Sequence, residues 1–137
     1  MRQQIESRLL QLNLKNSVLL TGVRADVHRM MQAMDVFILP SLWEGLALVS
    51  VEAQAAGLPC YFSDTVTRES AITDLVQYLP ISDPEAWAKK ILSDKQGRKN
   101  TTKTIIEAGY DIAKSAQWLE QFYVDLNEEI AQQRGKT

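Results

Sequence analysis

The sequence predicts an α/β fold: a parallel sheet of three to four short strands flanked by helices. Three observations lead there. Short, continuous apolar runs recur through the first 80 or so residues. Stretches with apolar residues at helical spacing separate them. Glycine or proline closes most of the apolar runs. Continuously apolar strands that alternate with helices are the pattern of parallel βαβ units, whose sheet is covered on both faces.

The elements follow in order. Ile5, Leu9 and Leu12 predict a helix over residues 3–12, broken at 13–16. Ser17, Val18, Leu19, Leu20 and Thr21, closed by Gly22, read as a buried strand. Val27, Met30, Met31 and Met34 share one face of a helix over 25–34. Asp35 to Leu39 is a second strand, stopped by Pro40. Residues 40–45 form a loop and 46–56 a helix, with Gly57 as its C′ residue and Pro59 two positions beyond. A third strand covers 58–62, a polar loop 63–71, and a fourth strand 76–79. Asp83, Pro84 and Glu85 start a helix, with an N-cap carboxylate, proline at the first helical position and an acid in the first turn. That helix carries Trp87, Ile91 and Leu92. Residues 94–100 read as a charged turn, followed by helices over 105–108 and 112–133. Ala116, Leu119, Phe122, Tyr123, Leu126 and Ile130 form an amphipathic stripe on the last. Trp87 and Trp118 are assigned to the core.

Composition bounds the function. The 137 residues fit one domain, with C-terminal helices from about residue 83 to 133. With 45% apolar and 23% charged residues, the chain has ordinary globular chemistry. The net charge of −2 shows no basic excess, which argues against nucleic acid as a partner. Cys60 is the only cysteine, so no disulfide forms within the chain, and its apolar context predicts a buried structural thiol. No apolar signal-like segment follows Met1, and no run approaches the ~20 apolar residues of a membrane span. The expected compartment is the cytoplasm. His28, the only histidine, lies beside Arg29 and reads as a surface residue; no metal is expected, since no second His or Cys stands at ligand spacing.

Parallel sheets place ligands beyond the carboxyl ends of their strands, which singles out the loops at 22–26, 40–45 and 63–70. The second is the most informative. A strand ends at Pro40-Ser41 and a helix is predicted from about Leu46. The first amides of a helix have no internal partners, and the helix dipole adds positive charge there, which makes an anion site. Gly45 would let a ligand approach the backbone. Glu44 lies just before the helix, and Glu52 lies ~9 Å along it from Leu46. Carboxylates repel phosphate but accept strong hydrogen bonds from hydroxyl pairs. A diphosphate at the helix end, with a sugar on one side and a ribose on the other, fits this layout.

Ser41-Leu42-Trp43-Glu44-Gly45 and Glu52-Ala53-Gln54-Ala55-Ala56-Gly57-Leu58-Pro59 resemble the signature of the group 1 retaining glycosyltransferases. That family has two Rossmann-like domains with the active site between them, and two glutamates separated by seven residues, as Glu44 and Glu52 are. The runs at 18–22 and 35–41 also resemble the family's strands, and the resemblance extends over about residues 1–130. It implies an incomplete Rossmann-like sheet, the C-terminal half of a nucleotide-sugar-binding domain. It implies that Glu44 contacts donor-sugar hydroxyls near the anomeric carbon and that Glu52 binds the ribose hydroxyls. The amides of Gly45, Leu46 and Ala47 would hold the diphosphate or sugar, and Gly22, Val23 and Arg24 would lie near the base. The donor would be a nucleoside-diphosphate sugar, with uridine the commonest base, and no cofactor or metal. The acceptor, a saccharide or lipid-linked saccharide, would bind a preceding domain, which is missing here along with the family's phosphate-binding Arg and Lys. The variant resembles transferases of bacterial exopolysaccharide or capsule synthesis, which would place it in the cytoplasm or at the inner face of the membrane.

The sequence departs from the family in two places. Ala47 stands where glycine is frequent, and residues 64–69 replace a Gly-Gly turn followed by glutamate, with Glu69 a counterpart of that glutamate. Arg68 reads as a solvated loop charge rather than a phosphate ligand, and Trp43 either lines the sugar pocket or packs the loop. Three expectations follow: the chain alone does not turn over, the strand at 17–21 leaves an exposed edge, and that edge drives homo-oligomerisation. Other readings are a split or non-catalytic nucleotide-sugar-binding module and a sugar-nucleotide epimerase of related architecture.

Overall fold

The computed structural model describes residues 1–134. Its elements run α1 (Arg2–Gln11), α2 (Val27–Met31), β1 (Phe37–Leu39), α3 (Leu48–Ala55), β2 (Cys60–Ser63), a 3-10 turn (Arg68–Ser70), β3 (Val76–Leu79), α4 (Pro84–Ser93), α5 (Thr102–Glu107) and α6 (Ile112–Arg134). The three strands form one parallel sheet in the order β1-β2-β3. Central β2 is buried along its whole length, as its apolar sequence requires. No described helix is long and apolar enough to cross a membrane.

One face of the sheet packs on α2 and α3. Met31, Ala53, Leu58, Cys60, Phe62 and Val66 make up this core. Phe37, Phe62 and Tyr78, one from each strand, meet edge to face, with ring centroids 6.3 and 5.9 Å apart. That geometry suits the ring quadrupoles. Removing the Phe62 ring would cost about 3–5 kcal/mol. From the other face, Tyr61 and Gln77, paired across β2 and β3, both donate to the Asp94 carboxylate just after α4, at 2.9 and 2.6 Å. Trp87 of α4 is buried as expected, its indole N–H donating to the Pro80 carbonyl at 2.8 Å.

Local signals explain the ends of the elements. Asp83 caps α4 by accepting from the Ala86 amide at 2.9 Å, and Pro84 opens the helix. At the end of α3, Gly57 has φ +74°; its amide donates to Gln54 O and that of Leu58 to Ala53 O. This is the paired closure that satisfies the last carbonyls of a helix.

Four expectations need correction. Residues 17–21 form no strand; Leu19 is 83% exposed. In a doubly wound order of 3-2-1-4-5-6, three sheet neighbours in chain order correspond to positions 4-5-6, and the preceding strand belongs three positions beyond the edge, with the places of two other strands between. Residues 17–21 therefore have no neighbour to pair with, and the edges of the sheet are β1 and β3. Second, α3 begins at Leu48 rather than Leu46, with Ala47 extended as its N-cap and no side-chain cap. Third, Trp118 is 67% exposed, because nothing described packs on α6. Fourth, the turn at 94–100 is a strap. The Arg98 guanidinium donates to the carbonyls of Ala56, Met31 and Met34, closing the ends of α2 and α3 together, and the Lys99 amide donates to Gly57 O at 3.1 Å.

Candidate functional site

β1 ends at Leu39 and β2 at Ser63, so the loops that follow them, 40–47 and 64–70, lie side by side at the carboxyl end of the sheet. Side chains stitch them together. The hydroxyls of Ser63 and Thr65 both donate to the Ser41 carbonyl, that of Thr65 at 2.8 Å. Glu44 forms a parallel bridge with buried Val66. The Ser70 hydroxyl donates to Gly45 O at 3.4 Å. The path from Ser41 to Gly45 is thus gripped at both ends.

Glu44 is half-buried, and one of its carboxylate oxygens accepts from the Ser41 hydroxyl at 3.1 Å. That bond turns the carboxylate while leaving most of its acceptor capacity for a ligand. Gly45 is exposed and lies outside the left-handed region, and a Cβ built on it meets no atom within 4 Å. The fold itself does not require glycine there, whereas Gly57 is required twice over, by its φ and by a Cβ position 2.1 Å from Lys99 O.

The amides of Leu46 and Ala47 have no acceptor among the described residues, and α3 starts without a side-chain cap or an acid in its first turn. Ser50 closes that turn from within: its amide and its hydroxyl both donate to Ala47 O, at 2.8 and 2.7 Å. Because α3 begins at Leu48, Glu52 stands four residues, or ~6 Å, up the axis rather than ~9 Å. It shares an exposed face with Leu48, one turn below. Glu44, Gly45, Leu46 and Ala47 thus lead into the foot of α3, and Glu52 stands one turn further along it. A hollow of about 640 Å³ lies elsewhere, lined by Asn100, Thr102, Lys103, Ile106, Glu107 and Lys114.

Gly22, Val23 and Arg24 stand apart. Gly22 turns with φ +67° and Val23 is fully exposed. Arg24 makes a paired contact with Asp26 at 2.7 and 2.6 Å, which holds the Asp26 carboxyl below its ordinary range. No hydrogen bond among the described residues ties this loop to residues 41–52. Arg68 lies 3.7 Å over the Tyr78 ring, a packing role. Trp43 is 82% exposed, so it does not pack the loop. No cluster of described residues could hold a metal ion. Burial pushes the Cys60 thiol up to about 12, as befits a structural cysteine.

Sequence reasoning missed Gln54, whose buried side-chain amide makes five hydrogen bonds. A polar residue between Ala53 and Ala55 on a buried helix was its available signal. The hold of Ser63 and Thr65 on Ser41 left no such mark in the sequence.

Residues 1–93 match the family described as Glycosyl transferases group 1. The chain is 38% identical over 126 residues to a putative glycosyltransferase, EpsF, of Bacillus subtilis, covering 88% of this chain and 33% of that protein. It is 32% identical over 123 residues to the UDP-Gal:alpha-D-GlcNAc-diphosphoundecaprenol alpha-1,3-galactosyltransferase of Escherichia coli, covering 84% and 32%. A lipopolysaccharide core biosynthesis mannosyltransferase, LpsB, of Rhizobium meliloti is 30% identical over 53% of the chain and 22% of its own length. The chain thus spans about a third of the length of the first two relatives. These matches are to transferases, not to epimerases. With the glutamate pair and the foot of α3 placed as described, the chain belongs to the group 1 glycosyl transferases.

Proposed function

We propose that this chain carries the donor-binding half-site of a retaining glycosyltransferase that moves a hexosyl unit from a nucleoside-diphosphate sugar to a saccharide or lipid-linked acceptor in polysaccharide synthesis. One observation carries the reading: the amides of Leu46 and Ala47, which lie along the chain between an oriented Glu44 and an exposed Glu52, lack acceptors among the described residues. Glu44 accepts hydrogen bonds from donor-sugar hydroxyls, Glu52 accepts them from the ribose pair, and the amides of Gly45, Leu46 and Ala47 receive the diphosphate. The leaving diphosphate gains negative charge as the glycosidic bond breaks. Fixed amides there favour the transition state over the bound ground state. No metal takes part. Gly22, Val23 and Arg24 reach the base, Arg24 exchanging Asp26 for the ligand. The name of the Escherichia coli relative supports UDP as the carrier.

The acceptor binds a second domain, and the protein works in the cytoplasm, at the inner face of the membrane when its acceptor is lipid-linked. Thermal unfolding tests the half-site. UDP at 100 times its Kd should add about 2.7 kcal/mol of stability. Uridine, which lacks the diphosphate, should add far less. Equal responses to the two would remove the diphosphate from the account.

A second reading, a split module completed by a partner chain, is favoured by α6. Its side chains over residues 112–133 are exposed, with Trp118, Phe122 and Tyr123 forming an aromatic patch. On either reading the purified chain gives no sugar transfer by itself, and robust transfer by it would contradict both. Self-association through the free edge of β1, where Ile38 is 49% exposed, is proposed for the isolated chain. A monomer by light scattering at high concentration would rule it out.

A further inference from the structure

We infer that Gln54 is a positioning residue for the donor site, fixing through Ser70 where Gly45 and the foot of α3 stand; this rests on the donor-site reading above. Gln54 has no exposed surface, although glutamine is mostly a surface residue. Every polar atom of its side chain is used. Nε2 donates to Ser50 O at 3.0 Å and Ser70 O at 2.7 Å. Oε1 accepts from the Ile72 and Thr73 amides, both at 2.9 Å, and from the Thr73 hydroxyl at 3.1 Å.

Four of these five bonds go to residues 70–73, a stretch outside any strand. A helix side chain thus does the work of a sheet neighbour for an irregular segment. The same segment ends on the donor site, since the Ser70 hydroxyl reaches Gly45 O. The fifth bond, to Ser50 O, ties the segment to the first turn of α3, just after the unpartnered amides of Leu46 and Ala47. A core that needed only to be filled would be satisfied by an apolar side chain here. An amide that saturates one loop suits a site whose backbone must be held in place.

Three variants test this through UDP affinity and the amide resonances of Gly45 and Leu46. Each is measured well below its own unfolding temperature. Ser70→Ala removes only the hydroxyl on Gly45 and leaves the bonds of Gln54 to the Ser70 backbone. It should weaken UDP binding ~3-fold and move the Gly45 amide. Gln54→Glu keeps the shape and the three accepted bonds but loses donors to Ser70 O and Ser50 O. It should weaken binding ~10-fold. Part of that loss should return as the pH falls, relative to wild type at the same pH, because a protonated glutamic acid can donate to Ser70 O.

Thr101→Val is the control. The Thr101 hydroxyl donates to the main-chain oxygen of Gln54 at 2.7 Å, on the side away from the loop. Its loss should lower the unfolding temperature but leave UDP affinity within ~2-fold. Wild-type affinity in Ser70→Ala and Gln54→Glu would overturn the inference, as would an equal loss in Thr101→Val. If Gln54→Glu does not fold, Ser70→Ala against Thr101→Val decides. Absence of UDP binding by the wild type would overturn the donor-site reading and this inference with it, whereas binding unaffected by the variants would overturn this inference alone.

Discussion

Replacing Gly45 with alanine separates a glycine kept for a ligand from one kept for the fold. A Cβ at Gly45 meets no protein atom within 4 Å, and the backbone there is outside the left-handed region. Alanine should therefore fit without strain and, by restricting the unfolded chain, add about 0.4–1 kcal/mol of stability. That raises Tm by a few degrees at roughly 4 °C per kcal/mol. The same methyl would stand where the diphosphate or sugar must approach the backbone. Forcing a methyl into a packed contact costs about 1–3 kcal/mol, or a roughly 5- to 150-fold loss of UDP affinity. Gly57→Ala should behave in the opposite way. Its φ of +74° penalises any Cβ, and that Cβ would sit 2.1 Å from Lys99 O, pushing the 94–100 strap off the end of α3. The cost should be about 3 kcal/mol, a fall in Tm of roughly 10 °C, with UDP affinity kept below the transition. Scanning fluorimetry and calorimetric titration of both variants measure all four quantities. A stable Gly45→Ala protein that binds UDP as the wild type does would refute the reasoning, since no ligand could then lie against Gly45.

Other perturbations test the scaffold. Arg98→Lys keeps a charge but cannot span three carbonyls, and should lower stability by about 2 kcal/mol in urea unfolding. The Gln96 amide, the Gln77 side chain and the Tyr61 hydroxyl, in that order, hold the Asp94 carboxyl far below the usual carboxylate range. A depressed folded-state pKa stabilises above the unfolded value near 3.9, and that gain is lost as pH falls below it. Asp94→Asn should therefore be less stable than wild type at pH 7, with the gap narrowing below pH ~4; urea midpoints at both pH values check this. Cys60, buried and with its thiol pushed up to about 12, should resist alkylation by iodoacetamide at pH 8 in the native protein and react on unfolding.

What the sequence revealed, and what it hid, divides along the range of the interactions. Asp83-Pro84 and Gly57 act within a few residues of themselves, and their roles as helix start and helix stop stand in the structure. The strands at 37–39, 60–63 and 76–79 were legible from the apolar residues within each, although only the central one is buried along its length. Residues 17–21 carry the same pattern, but pairing is a property of neighbours, and none stands beside them. Ala47 goes with the late start of α3: it offers no hydroxyl or carboxylate to cap the helix, and it stays extended before the helix begins at Leu48. Arg98 looked like one charge in a charged turn because its three acceptors lie 42 to 67 positions away in the sequence. Trp118 has the spacing of a core residue, yet nothing described covers its face. At the candidate site, the sequence pointed to Glu44, Gly45 and Glu52, whereas the hydroxyls of Ser41, Ser63, Thr65 and Ser70 that fix the path from Ser41 to Gly45 are ordinary loop residues until the loops are brought together.

The central claim is that the foot of α3 is a preformed half-site for a nucleoside diphosphate. Titrating UDP into isotopically labelled protein, with amide shifts followed residue by residue and Glu52→Ala as the comparison, tests it most directly. The account predicts shifts concentrated at Gly22, Val23 and Arg24 and from Gly45 to Glu52, weakened by the substitution while the spectrum stays that of a folded protein. Shifts elsewhere, or none at millimolar UDP, would contradict it.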